Sequence, residues 1–279
     1  MKTVVVGAGL FGTSIAFSLA KRAAGSIVLV DRGNVCGGDS GRSFSMVRRH
    51  YSNDVTARLA MRGVDVIQRW DEEVGVADSG FVQTGYLLTA PPEQEVALRD
   101  NVLRLRLLGL DTRVVEPDEI AALDPLLSLD GIAAGAYEPG GGFADAQKMV
   151  LGWFAAGVAR GVHATLGRQV TGICVRDGRA AGVETDAGPI DADVVVLATG
   201  SWGPELARTA GVDLPITLRR LQVAIVRLPP DQPHGRLTFS DMATNLVFRP
   251  DRAGRALAVA YQEPELLECR DACDEHVDP

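Results

Sequence analysis

Phosphate and ribose recognition is the chemistry written most plainly into this chain. Val4-Val5-Val6 is a short β-branched strand, and Gly7-Ala8-Gly9-Leu10-Phe11-Gly12 follows it at once. Gly7 permits the tight turn out of the strand, Gly9 lets the backbone approach a pyrophosphate, and Gly12 lets the next helix pack hard on the sheet. The first N–H groups of that helix lack partners and carry the positive end of its dipole, so they attract phosphate. Asp31 stands about 20 residues on, at the end of the apolar run Ile27-Val28-Leu29-Val30. A carboxylate there accepts hydrogen bonds from a ribose hydroxyl. A glycine triplet alone is weak. Strand, triplet, helix, strand and acid in register specify a dinucleotide-binding βαβ unit.

Three further clusters carry polar chemistry. Gly33 to Ser45 is dense in glycine and serine, and its serines, backbone N–H groups and Arg42 suit a phosphate or a ring edge. Arg48-Arg49-His50-Tyr51 comes next. An arginine fork makes two parallel hydrogen bonds to a carboxylate. Neighbouring residues on a helix do not share a face, so one of the two arginines is expected to point inward. A solvated charged face fits the same four residues equally well. Finally, Ala192 to Trp202 holds a short apolar run, bounded by the acid Asp193 and by the small-residue turn Ala198-Thr199-Gly200-Ser201 before Trp202. The run suits a buried parallel strand, and the turn opens a crevice at the start of a helix over Pro204 to Ala210.

The elements that must position these residues follow from periodicity and punctuation. Thr13 to Arg22 reads as a helix with Ile15, Ala16, Leu19 and Ala20 on one face. Asn53 to Val74 is a helix capped by Asn53 or Asp54 and stopped at Gly75. Phe81 to Ala90 reads as two strands bent at Gly85, Glu93 to Leu108 as an amphipathic helix, Arg113 to Val115 as a strand, Pro117 to Leu123 as a short helix and Gly131 to Tyr137 as a strand. Gly140 to Asp145 is a sharp break before a helix over Ala146 to Arg160. Ala164 to Val175 reads as one strand, with a turn at Asp177-Gly178 and another strand over Gly182 to Thr185. Extended stretches lie at Leu221 to Val226, Leu237 to Phe248 and Arg255 to Ala260. The acidic tail from Glu263 to Pro279 is expected as a solvated helix or a frayed end.

Bulk properties narrow the classes. The chain has 279 residues, 46% hydrophobic and 23% charged, which is ordinary for a globular protein of one large domain or two smaller ones. The net charge of −8 argues against nucleic acid or an anionic membrane as the main partner. No apolar run reaches the length of a bilayer span, and the N-terminal apolar residues belong to the fold, so a cytoplasmic location is expected. Cys36, Cys174, Cys269 and Cys273 form no Cys-x-x-Cys pair; all four are expected as reduced thiols, with no metal site.

Several segments resemble the D-amino-acid-oxidase-like flavoproteins. Gly7 to Gly12 with Asp31 is similar to the FAD-binding start of that family. Gly38-Asp39-Ser40-Gly41-Arg42-Ser43 through Arg48 and Tyr51 resembles its sarcosine oxidase branch, including the beta subunit of the heterotetrameric enzyme. Thr84-Gly85-Tyr86-Leu87, Gly141 to Asp145, Val195 to Trp202 and Arg220-Leu221-Gln222 fall in family order, so the resemblance covers nearly the whole chain. It implies an α/β fold: a doubly wound, Rossmann-like FAD-binding domain split in sequence (residues 1–75 and 143–214), with an inserted α+β, antiparallel-sheet substrate domain (76–142 and 215–279). It implies non-covalent FAD held by Gly7, Ala8, Gly9, Leu10, Phe11, Gly12, Asp31, Arg32, Ser40, Arg42, Ser43, Val170, Ala198, Thr199, Gly200 and Trp202. It implies Arg48 as the substrate-anchoring arginine, with Tyr261 and Gln262 as active-site residues, although the family's common histidine is absent beside them.

The implied reaction is oxidation of a small amino acid or N-methyl amino acid: a hydride passes from the carbon next to nitrogen to flavin N5, and the imine hydrolyses. The implied partners are that small molecule and, as in the beta-subunit branch, other subunits of a hetero-oligomer. Family members also carry a further C-terminal segment that returns to the FAD domain, so the resemblance implies that this chain is a fragment or a truncated product. A D-amino acid dehydrogenase of the same fold, a nicotinamide-dependent dehydrogenase sharing the first βαβ unit, and a non-catalytic nucleotide-binding remnant or subunit are the competing readings. The second crevice motif and the long inserted sheet argue against the nicotinamide enzyme.

Overall fold

A computed structural model describes residues 1–76, 78–229, 237–251, 254–260, 266–268 and 270–272. The opening unit forms as its pattern dictates: β1 (Lys2–Val6), α1 (Leu10–Lys21) and β2 (Ser26–Asp31). Then come β3 (Met46–Val47), α2 (Asp54–Gln68) and the short α3 (Trp70–Glu73). The Asn53 side chain caps α2 by accepting the Thr56 N–H at 2.8 Å. The single helix expected over 53–74 is two, because Arg69 leaves the helical region (φ −108°, ψ 41°). There Trp70 turns inward and its indole N–H donates to the Val76 carbonyl.

β4 (Val82–Gln83), β5 (Tyr86–Ala90), α4 (Glu95–Leu107), β6 (Arg113–Val115), α5 (Pro117–Leu123), β7 (Ala134–Glu138) and β8 (Gly142–Phe143) follow. α6 (Ala146–Val158) is capped by Asp145, which accepts the Lys148 N–H at 3.0 Å. β9 (His163–Leu166), β10 (Val170–Arg176), β11 (Arg179–Thr185), β12 (Ile190–Asp191), β13 (Val194–Leu197) and α7 (Gly203–Arg208) come next. The last elements are β14 (Leu218–Arg219), β15 (Ala224–Arg227), β16 (Thr238–Asp241), β17 (Leu246–Pro250), β18 (Arg255–Ala260) and β19 (Leu266–Leu267).

A four-stranded parallel sheet, ordered β13-β1-β2-β9, carries the glycine turn. Side chains alternate across it with period two. Val4, Val6, Val28 and Val30 face one way, and Val5, Ile27 and Leu29 face the other. Helix α1 packs on the second face, with α6 against it. The antiparallel meander β10-β11-β12 and α7 cover the first. The Val194–Leu197 run, expected as a buried strand, is the outer strand on the β1 side of this sheet and is only partly buried. The stretch expected as one strand over 164–175 is two: β9 joins the parallel sheet and β10 turns into the meander.

A seven-stranded sheet, ordered β15-β18-β17-β16-β5-β7-β6, is the second large layer. The antiparallel expectation fails at one pair, since β16 runs parallel to β5. Helix α4 packs on one face through Leu98 and Val102, and α5 supplies Ile120 to the other. A small sheet, β3-β8-β4, lies near the start of the insertion. Its middle strand is Gly142-Phe143, so the expected break at 140–145 contains a strand. Val47 of β3 packs in one cluster with Phe17 of α1, Val64 of α2 and Ala144, and this fixes the strand that leads to Arg48. No helix among the described residues is long and apolar enough to cross a membrane.

Candidate functional site

The turn after β1 forms because its backbone has nowhere else to go. Gly7 has φ +107°, and a Cβ at Gly12 would overlap the Gly7 carbonyl oxygen. Only glycine at these two positions lets α1 start this close to β1. The α1 N-terminus has no acidic residue in its first turn and no side-chain cap at Gly9, which leaves its dipole free to attract an anion. Asp31 is fixed at the end of β2: one carboxylate oxygen accepts the Ala8 N–H and the other the Gly33 N–H, each at 2.7 Å. A carboxylate offers about four lone-pair sites, so it retains capacity for two more hydrogen bonds.

A cavity of about 1170 Å³ opens at the carboxyl ends of the parallel strands, where ligands of open α/β sheets bind. Gly7, Gly9, Leu10, Phe11, Asp31, Arg32, Ser40, Arg42, Val170, Ala198, Thr199, Gly200 and Trp202 line it. Ala8, Gly12 and Ser43, also expected as cofactor contacts, do not. Ala8 is buried and spends its N–H on Asp31. Gly12 is a packing position against Gly7. The Ser43 hydroxyl accepts the Ser45 N–H at 3.0 Å. Tyr261 and Gln262, and likewise Cys269 and Cys273, lie outside the described residues.

The cavity suits FAD by observation as well as by motif. It exceeds the usual ~300–1,000 Å³ of small-ligand pockets, as an extended dinucleotide requires. Thr199 lines it, and the Thr199 hydroxyl is buried without a hydrogen-bond partner among the described residues; a buried polar group of that kind calls for one. Cys36 and Ser45, at either end of the glycine-serine loop, hold left-handed φ values of 64° and 56°. The Leu10 N–H donates to the Ser40 hydroxyl at 3.0 Å, which ties that loop to the glycine turn.

Sequence reasoning missed two parts of the wall. Arg168 and Gln169 of the β9–β10 connection and Thr171 at the start of β10 line the cavity. The Arg168 guanidinium is held by Thr185 (Nε to Oγ1, 2.8 Å) and the Ala187 carbonyl (Nη2, 2.6 Å). Gly167, with φ +69°, marks the break that hid this edge inside one supposed strand. Arg270 and the exposed Asp271 also line the cavity; most of the tail expected as a solvated helix or a frayed end lies outside the described residues. Asp271 accepts from Arg32 (3.0 and 3.3 Å) and from the Trp202 indole N–H (2.8 Å). The Arg32 hydrogen bond, followed by that of Trp202, holds the Asp271 carboxyl down at about 2. Arg270 donates to Asp39 at 3.1 Å, and Asp39 also accepts from the Ser201 hydroxyl.

Arg48 does not line this cavity. It follows β3, where the small sheet meets the seven-stranded one. Its guanidinium lies 4.6 Å from the Tyr51 ring and 5.7 Å from the Tyr86 ring, and it donates to the His50 carbonyl. Among the described residues it has no carboxylate partner. Arg49 is spent on Glu138: Nε to Oε1 at 2.6 Å and backbone N–H to Oε2 at 2.9 Å. So one arginine of the pair is committed to structure and the other is open to an anion. His50 is buried, and its Nε2 lies 2.7 Å from the Thr112 hydroxyl. That hydroxyl gives its proton to the Tyr137 carbonyl at 3.0 Å, so the imidazole carries its hydrogen on Nε2. Burial, then the Arg48, Arg49 and Arg104 charges, pushes His50 down to about 4. Arg249 of β17, buried, donates to the Phe44 carbonyl at 2.6 Å and stacks on Phe143 at 4.7 Å, which fastens the loop entering β3.

A family model for FAD-dependent oxidoreductases (DAO) matches residues 2–277. The chain belongs to this family. FAD is the family's cofactor, and the cavity on β1 and β2 is where this chain would hold it. Mitochondrial sarcosine dehydrogenase of Mus musculus is 30% identical over 219 residues, covering 76% of this chain and 24% of that protein. The mitochondrial pyruvate dehydrogenase phosphatase regulatory subunit of Mus musculus is 25% identical, covering 78% and 25%. Sarcosine oxidase subunit beta of Rhodobacter capsulatus is 27% identical, covering 78% and 54%. The chain therefore spans about a quarter of these mitochondrial relatives and about half of the bacterial subunit. L-proline dehydrogenase from P. horikoshii has the same fold, with a TM-score of 0.84 at 23% identity over 93% of this chain and 70% of that one.

Proposed function

We propose that this chain is the FAD-holding and substrate-anchoring part of an oxidoreductase acting on a small amino acid, with an N-methyl amino acid such as sarcosine as the first substrate to test. The observation that carries the substrate class is Arg48, a guanidinium flanked by Tyr51 and Tyr86 and, among the described residues, without a carboxylate partner, while its neighbour Arg49 is consumed by Glu138. The named activities of sarcosine dehydrogenase and sarcosine oxidase subunit beta support the same class. In this reading residues 1–75 and 143–214 bind FAD, and 76–142 and 215–279 receive the substrate.

FAD, when bound, supplies two-electron acceptance from the carbon next to the substrate nitrogen. The protein supplies placement. The α1 N-terminus takes the pyrophosphate, Asp31 the ribose, and Arg48 the substrate carboxylate. No acid–base dyad is needed when the amine enters neutral. Kinship with a beta subunit supports assembly with other subunits as part of the same proposal. A non-catalytic regulatory role is the second reading, favoured by the relative named a regulatory subunit.

The test is the visible spectrum of the purified chain, with sarcosine added under anaerobic conditions. A flavin band that bleaches supports the proposal, and oxygen consumption then separates oxidase from dehydrogenase. Arg48→Ala is expected to raise KM for sarcosine about 10- to 100-fold, the range of a charged hydrogen bond. A flavin band that stays unbleached refutes sarcosine as substrate. A chain that cannot be reconstituted with FAD favours the regulatory reading.

A further inference from the structure

Arg48 lies just beyond the end of β3 and is not aimed by that strand. Both groups that hold its guanidinium locally, the His50 carbonyl and the Tyr51 ring, sit within the same irregular segment, residues 48–51. The orientation of Arg48 therefore depends on whatever fixes Arg49, His50 and Tyr51. The end of β7 fixes two of the three. Glu138, fully buried, accepts the Arg49 guanidinium and the Arg49 backbone N–H, one on each oxygen. The Tyr137 carbonyl accepts the Thr112 hydroxyl, which in turn accepts the His50 imidazole N–H. Arg104 of α4 donates to the Tyr51 carbonyl. In the β5–β7 ladder, Glu138 stands opposite Tyr86, whose ring is the second aromatic neighbour of Arg48.

We infer that Glu138 and Thr112 are positioning residues for Arg48, through which the seven-stranded sheet sets the place of the substrate carboxylate. The inference rests on the proposed anion-binding role of Arg48. Stability is a poor account of the pair. Burying a carboxylate and a guanidinium costs about as much desolvation as their attraction returns, whereas the geometry they impose is strict. Glutamine at 138 offers only one acceptor oxygen where two N–H groups converge. The space is also closed from the other side, since a Cβ at Gly140 would overlap Arg49 Nη2. A guanidinium displaced by about 1 Å loses much of its hold on a planar carboxylate.

The experiment is a double-mutant cycle on the FAD-loaded chain, titrated with acetate, the carboxylate fragment of sarcosine, and followed in the visible flavin band. Glu138→Gln is expected to weaken acetate binding about tenfold or more and to leave FAD affinity within about twofold of wild type. Thr112→Val is expected to weaken acetate about threefold and carries the test should Glu138→Gln fail to fold. In an Arg48→Ala background both substitutions are expected to change acetate affinity by less than about twofold. A structural defect would not vanish with Arg48, so an effect that persists in that background overturns the inference. So does unchanged acetate affinity in Glu138→Gln or in Thr112→Val while Arg48→Ala weakens it. An Arg48→Ala chain that binds acetate like wild type refutes the anion role of Arg48 and the inference together.

Discussion

Mild acid should destabilise this protein through His50. Its imidazole, ordinarily at 6.5, is held at about 4 by burial and by the Arg48, Arg49 and Arg104 charges. Between those values the unfolded chain binds a proton that the folded chain refuses. Stability is therefore complete above pH 6.5 and falls as pH drops toward 4. At pH 5 an imidazole with pKa 6.5 is almost fully protonated and one at 4 about one-tenth so. At 1.36 kcal/mol per tenfold change in proton affinity, the protein loses about 2 kcal/mol between pH 7.5 and pH 5 through this residue. His50→Gln keeps an N–H donor for Thr112 and does not titrate. Urea unfolding of both proteins at the two pH values isolates the effect from every other titrating group. The wild type is expected to lose about 2 kcal/mol more than the variant. Equal losses would show that His50 protonates as readily in the folded state as in the unfolded chain, against the effect of burial and the three arginines.

Two further outcomes test the cofactor site. Gly12→Ala places a methyl against the Gly7 carbonyl; it should cost about 1–3 kcal/mol in urea unfolding and release FAD on desalting, and full retention of both would refute the close helix–strand contact. Thr199→Val removes a buried hydroxyl that has no partner among the described residues. The flavin-free chain should gain about 1 kcal/mol while FAD affinity falls about fivefold. A parallel change in both, measured by thermal melts and fluorescence titration, would deny FAD the hydroxyl.

The sequence by itself determined what is local. Val4-Val5-Val6, the glycine triplet and Asp31 fall within one βαβ unit, and each acts on neighbours a turn or a strand away. The Asn53 cap likewise acts on Thr56. Hydrophobic period and capping are short-range, so the first unit and most helices could be read directly. The tertiary structure decided whatever depends on two distant segments meeting. Val194 to Leu197 reads as a core strand, yet an outer place in the sheet leaves it partly exposed, and position in a sheet has no local signature. Arg48 and Arg49 are chemically identical in sequence. They differ only because Glu138, 89 residues away, closes on the second of them. Asp271 reaches Arg32 across 239 residues, and nothing in the acidic tail marks that contact. Which charges are neutralised and which stay open to a ligand is set by such closures, because a charge's environment is made by whatever packs beside it in three dimensions.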